Sequence, residues 1–224
     1  MKNLSFRWKS FIALLIVFIP AILLVFVGTR SCNHNFEELE DYGILANYSF
    51  TDINGKKKNA KDFKNTILII NTLQETCPSD CGIAFWPFER SIYQQIRKNR
   101  KKLNRVRIIS FVIDKEGNPV KDLSNMQQIL KDKVLDYDPK LWILASGNAK
   151  KVFDIKHNGI NLLDTETKDK EEIPYKDLLL LVDKDNHLRM ALRANSKNPE
   201  GEGVTRRMKQ SLALLLKQYD KEKK

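Results

Sequence analysis

The feature that most constrains this chain is a short apolar run closing on two cysteines. Residues 66–71 read Thr-Ile-Leu-Ile-Ile-Asn, a buried strand by composition and length. The run Thr76-Cys77-Pro78-Ser79-Asp80-Cys81 follows, and then Phe85, Phe88, Ile92 and Ile96 recur at three- and four-residue steps, the signature of one helix face. Pro87 must begin the regular part of that helix or kink it, because proline has no N–H to give the turn behind it. A strand, a turn bearing two thiols and then a helix bring both sulfurs toward a helix N-terminus, which favours thiolate over thiol. The thiolate attacks disulfides and binds soft metals, so Cys77 and Cys81 are both the candidate catalytic pair and the candidate metal ligands.

The remaining pattern alternates strands with helices. Further strands are expected at 106–113, 142–145, 178–182 and 188–192, the last two joined by a tight turn at 183–186. Helices are expected at about 123–135, at 148–155 with an end near Asn158-Gly159, and at 203–219 with Met208, Leu212, Leu215 and Leu216 facing inward. Asn54-Gly55 between the extended pieces 48–52 and 56–59 marks a hairpin. Residues 33–46 read as a polar linker with a short helical stretch, and 165–172 as a charged loop. This order implies an α/β chain: a central mixed sheet covered by helices on both faces.

At 224 residues the chain has room for one domain and a targeting segment. Residues 11–28 carry no charge, and as a helix they reach roughly 27 Å, close to the thickness of a bilayer core. Pro20 within them is tolerated in a membrane helix. The run is longer than a signal-peptide core, and Thr29-Arg30-Ser31 matches a small-x-small cleavage site poorly. We therefore expect a transmembrane anchor at 11–28 after a cytoplasmic stretch 1–10, then a linker 29–45, a domain 46–220 and a basic tail 221–224. Lys2, Arg7 and Lys9 precede the apolar run and Arg30 follows it, which keeps the N-terminus inside and exports the domain across the inner membrane. That compartment tolerates disulfides, and Cys32 is a third thiol beside the bilayer. The net charge of +11 does not imply a nucleic-acid partner: the basic run 97–107 contains no aromatic residue on which bases stack. It reads as a solvated helix end.

Several of these residues resemble the Sco/SenC family of membrane-anchored, thioredoxin-like proteins. The matching pieces are Phe50-Thr51-Asp52-Ile53-Asn54-Gly55, the strand before the Cys-x-x-x-Cys run, Trp142 ahead of Ser146-Gly147, and the late hairpin 181–186. The resemblance implies a thioredoxin-like fold. It also implies copper held by the two cysteines and one histidine for assembly of the cytochrome oxidase copper centre, or thiol–disulfide exchange. The family's histidine falls eight residues before the hairpin aspartate, and counting back from Asp183 gives Tyr175; Gly82 stands where a proline is usual. A phenol with a pKa near ~10 is a poor third ligand. His157 and His187 are the substitutes to consider, His34 beside Cys32 a more distant one, and Asp114 an acidic neighbour of the site. Glu75 would oppose thiolate formation at Cys77 by like-charge repulsion.

The leading expectation is thus thiol–disulfide exchange on exported or membrane partners with cysteine pairs, cytochrome oxidase subunits among them, with Cys77 attacking and Cys81 resolving. The alternatives are a Cu(I) carrier using the same sulfurs and a redox-inactive docking module with a structural disulfide.

Overall fold

The computed structural model describes residues 15–16, 18–25, 39–79, 85–158, 160–161, 173–193 and 201–222. Residues Met1–Glu37 and Glu38–Lys224 form separate units. In the first, the described residues are helical and exposed. The expected anchor at 11–28 lies partly outside the described residues, and among those described no helix is long and apolar enough to cross a membrane.

The second unit is built on a seven-stranded sheet. Its strands are β1 (Ser49–Asp52), β2 (Lys57–Asn59), β3 (Ile67–Gln74), β4 (Val106–Ile113), β5 (Trp142–Gly147), β8 (Leu178–Val182) and β9 (Leu188–Arg193), ordered β2-β1-β5-β4-β3-β8-β9. A separate hairpin is formed by β6 (Lys156–His157) and β7 (Ile160–Asn161). Strands β3, β4 and β5 are parallel, and the outer pairings are antiparallel. All eight residues of β3 are buried, as a central strand covered on both faces requires.

Alternation along β3 divides the core in two. Ile67, Ile69 and Leu73 join Cys77 on the first face; Leu68 and Ile70 join Tyr175 on the second. The first face is covered by three helices: α1 (residues 85–98), α2 (Ser124–Lys133) and α4 (Gly201–Glu222). The second is covered by α3 (Ala149–Phe153) and a 3-10 turn, Ala60–Phe63, whose Asn59 and Asp62 form a reciprocal capping box. Met208, Leu212 and Leu215 are buried as their spacing predicts.

In α1 the stretch Glu89–Tyr93 has π-helical hydrogen bonding, just after Pro87. The extra residue turns two neighbours, Ile92 and Tyr93, inward together. Two local expectations are corrected. The described part of the expected helical stretch, residues 39–45, is not helical but lies along the β8–β9 hairpin. Tyr42 N–H donates to Leu188 O at 2.9 Å, Leu188 N–H to Gly43 O at 2.9 Å, and Leu45 N–H to Asn186 O at 2.9 Å. Gly43 allows this path with φ +93°. Asn158, expected to end a helix, instead turns the β6–β7 hairpin with φ +51°. Asn-Gly is the sequence pair that this turn favours.

Candidate functional site

Cys77 sits three residues beyond the C-terminal end of β3. The turn is held by Glu75 N–H to Ile113 O at 2.9 Å, Cys77 N–H to Gln74 O at 2.9 Å and Ser79 N–H to Thr76 O at 3.1 Å. The Cys77–Pro78 peptide is cis, whereas that before Pro174 is not. Cys77 is disulfide-bonded. It is also only 2% exposed and belongs to the first-face core with Leu73, Phe85 and Phe88. That burial runs against the attacking role expected of Cys77, which needs an accessible sulfur. Cys81, Gly82, Cys32 and His34 lie outside the described residues.

Sequence counting puts Tyr175 at the right end of the sheet but does not give it the role of a ligand. Lys176 O accepts from Thr72 Oγ1 at 2.9 Å, so the segment does run beside the last turn of β3. Yet Tyr175 is 5% exposed in the second-face core, its ring stacked on Phe153 with centroids 5.8 Å apart. Its hydroxyl donates to Gly117 O at 2.8 Å. Burial, and then the charge of Asp114, push the phenol above its ordinary pKa, so it stays protonated.

The histidine substitutes fare no better. Asp183, whose Oδ1 caps the turn into β9, follows Val182, the partner of Leu68 at the start of β3. His187 therefore lies at the opposite end of β3 from Cys77, roughly 20 Å away at ~3.3 Å per residue. There its Nδ1 is 2.8 Å from Asp41 Oδ2. His157 lies in β6 and its side chain is outside the described set. Among the described residues, no group of three or more His, Cys, Asp or Glu side chains is placed to hold a metal ion.

Asp114 is at the right end of β4, but its carboxylate serves its own loop. Oδ1 accepts from Glu116 N–H at 2.9 Å and Asn118 N–H at 2.8 Å. Desolvation is the largest single influence and raises its pKa, but the Asn118 and Glu116 donors together outweigh it and leave the group more acidic than usual. Glu75 is exposed.

Sequence reasoning missed one feature behind the site. Trp142, fully buried, donates from Nε1 to Ser110 Oγ at 2.7 Å, and Ser110 donates to Asn71 Oδ1 at 2.5 Å. Phe85, Phe88 and Tyr93 of α1 surround the indole at 5.3–5.9 Å between ring centroids. The signal was available in Asn71 and Ser110, polar residues among the buried apolar ones of β3 and β4, which must find partners.

No protein-family model matches the chain, and no curated protein matches it in sequence. Solved structures do match. A SCO1/SenC family lipoprotein from Bacillus anthracis str. Ames aligns at TM-score 0.51 and 18% identity, covering 79% of this chain and 99% of that one. The fold is shared with Sco/SenC proteins. BsSco, a member of the Sco family of cytochrome c oxidase assembly proteins, matches at TM-score 0.47 and 16% identity over 75% of this chain and 98% of its own. Bradyrhizobium japonicum ScoI with copper bound matches at TM-score 0.44 and 22% identity over 74% and 99%. The α/β, thioredoxin-like architecture with a mixed sheet stands as expected.

Proposed function

We propose that the chain is an exported, membrane-tethered thiol–disulfide exchange protein whose redox couple is Cys77 with Cys81, acting on cysteine pairs of exported or membrane proteins such as cytochrome oxidase subunits. The observation that carries this reading is the disulfide at Cys77, in the turn that leaves a central strand. The fold shared with the SCO1/SenC lipoprotein and the uncharged run at 11–28 agree with it.

Burial of Cys77 changes the division of labour. An attacking thiolate needs access to one sulfur, and Cys77 offers almost none. A partner thiolate therefore attacks Cys81 Sγ, and the Cys77–Cys81 bond breaks with Cys77 leaving as thiolate. A second partner thiol, deprotonated, attacks the partner sulfur of the mixed disulfide and expels Cys81. The partner's two thiols become a disulfide, the chain's disulfide becomes two thiols, and the two protons go to solvent or to the released thiolates. Run in reverse, Cys81 attacks a partner disulfide and Cys77 resolves, the opposite of the order expected from sequence.

The test is a pair of variants. Cys77→Ser, its remaining Cys81 thiol reduced, should accumulate a mixed disulfide with a partner offered in its disulfide form, and Cys81→Ser should not. Trapping by neither variant, or a reduction potential below about −300 mV, characteristic of structural bridges, would refute exchange.

A resident copper ion does not fit the donor set of this oxidised form. The Cys77 sulfur is committed to a disulfide, and the Tyr175 hydroxyl to Gly117 O. Reduction would leave two thiolates, a set suited to Cu(I) rather than Cu(II). Copper handling by this chain is therefore a property of the reduced pair alone.

A further inference from the structure

The end of the sheet away from Cys77 has a character of its own. Strands β3 and β4 start side by side there, Ile67 opposite Val106, with Ile67 N–H bonded to Arg105 O at 2.9 Å. The residues feeding these strands are Lys61 and Lys64 before β3, and Lys98, Lys101, Lys102 and Arg105 before β4. All six are exposed, and none forms an ion pair with another described residue.

Acids at this end offset them in part: Asp62 lies between Lys61 and Lys64, and Asp183 and Asp185 line the same hollow as those two lysines. Asp136 is held by Arg97 at 2.9 Å, and Asp138 is paired with Arg100. The six exposed cations outnumber these acids, and the face keeps a net positive charge.

Two large aliphatic side chains stand exposed at the same end. Leu135 is 65% exposed, and its carbonyl accepts from Gln94 of α1 at 2.9 Å, which ties it to the helix that leads into the basic run. Ile44 is 72% exposed and shares a hollow of about 490 Å³ with Lys61 and Lys64. Basic side chains interspersed with projecting aliphatic ones suit a surface of anionic headgroups over hydrocarbon. They do not suit nucleic acid, since residues 97–107 contain no aromatic ring for stacking.

We propose that this end of the domain docks on an anionic phospholipid surface, the lysines and Arg105 against headgroup phosphates and Leu135 and Ile44 in the interface. Docking would point the C-terminal ends of β3 and β4 away from the bilayer. Strand β3, eight residues long, would then hold Cys77 roughly 25 Å from the lipid, within reach of partner domains. The arrangement is independent of the thiol chemistry and would serve any activity at the Cys77 end.

The test uses the full chain in liposomes of phosphatidylcholine with or without phosphatidylglycerol, labelled by brief lysine acetylation and read by mass spectrometry. With phosphatidylglycerol, Lys61, Lys64, Lys98, Lys101 and Lys102 should acetylate on the order of fivefold more slowly, and high salt should abolish the effect. Exposed Lys150 and Lys151, at the Cys77 end, should label equally in both. K98E/K101E/K102E with L135D should remove the protection of Lys61 and Lys64. Equal labelling in the two lipids, equal protection of Lys150 and Lys151, or stronger protection by added duplex DNA than by phosphatidylglycerol would each overturn the proposal. The lipid comparison on the unaltered chain decides the matter even if the variant misfolds.

Discussion

Replacing Tyr175 by histidine separates what sequence counting suggests from what the packing implies. Counting from Asp183 makes position 175 the missing copper ligand, so Tyr175→His should create a Cu(II) site. The structure predicts no such gain and a less stable protein. The phenol's bond to Gly117 O, worth about 1 kcal/mol, is lost. So is stacking on Phe153, worth about 1 kcal/mol beyond simple burial. The imidazole, buried where the phenol was, leaves ring nitrogens without matched partners at a cost of about 1–2 kcal/mol. The total of about 3–4 kcal/mol should lower the melting temperature by about 10 °C in a domain of this size. Thermal melts give the stability, and electron paramagnetic resonance during Cu(II) titration of the reduced protein gives the metal. Tyr175→Phe, which loses only the hydrogen bond, should melt close to the parent. An unchanged melting temperature together with tighter, nitrogen-ligated Cu(II) in Tyr175→His would show that the ring can leave its core site, and the argument from packing would fail.

Trp142→Phe should cost about 2–3 kcal/mol by denaturant unfolding, through the cavity and the lost bond to Ser110; a change below about 0.5 kcal/mol would mean that the buried chain to Asn71 contributes little. Gly147→Ala should loosen β1, because a Cβ there lies 2.8 Å from Ser49 O and 2.9 Å from Phe50 Cβ; faster amide exchange confined to β1 and β2 is the expected readout, and unchanged exchange would refute it. Asp41 is held below its ordinary pKa first by Gly43 N–H and then by its hydrogen bond to His187. A depressed folded pKa stabilises above the unfolded value of ~3.9 and loses that effect as pH falls through the folded value. Exchange at Tyr42, Leu45 and Leu188 should therefore quicken below about pH 4, ahead of global unfolding; loosening that begins on raising the pH would contradict this. Cu(I) should be taken up only after the disulfide is reduced, which a competition titration with a colorimetric chelator checks; equal uptake by oxidised protein would show a site elsewhere.

The parts of the fold legible in sequence were those that local pattern dictates. The first five residues of β3, all of β4, the hairpin at Asn54-Gly55 and the inward stripe Met208, Leu212 and Leu215 follow from local composition, periodicity and turn chemistry alone, whereas β3 runs on three residues past the expected end at Asn71. What sequence concealed depended on partners distant in the chain. Residues 39–45 have a composition that fits a helix, but Leu188, Asn186 and Arg189 offer them hydrogen bonds and charge that a solvated helix would forgo. Similarly, counting residues places Tyr175 along the chain but not on a face of the sheet. Its segment crosses the end of β3 at Thr72, whose side chain points to the second face, while Cys77 packs on the first.

This division by face bears on the chemistry itself. A metal site built from the Cys77 turn and the Tyr175 segment would have to bring together side chains from two cores separated by the backbone of β3. The disulfide proposed between Cys77 and Cys81 needs only the turn. Because Cys77 packs among Leu73, Phe85 and Phe88, reduction would leave its thiolate in apolar surroundings, where desolvation raises a thiol's pKa. That penalty keeps reduced Cys77 a neutral thiol at neutral pH, and it slows both the departure of Cys77 as thiolate and its return attack. A measured pKa for Cys77 well below the ordinary ~8.5 in the reduced protein would reverse the argument and return to Cys77 the attacking role that its place before a helix suggests.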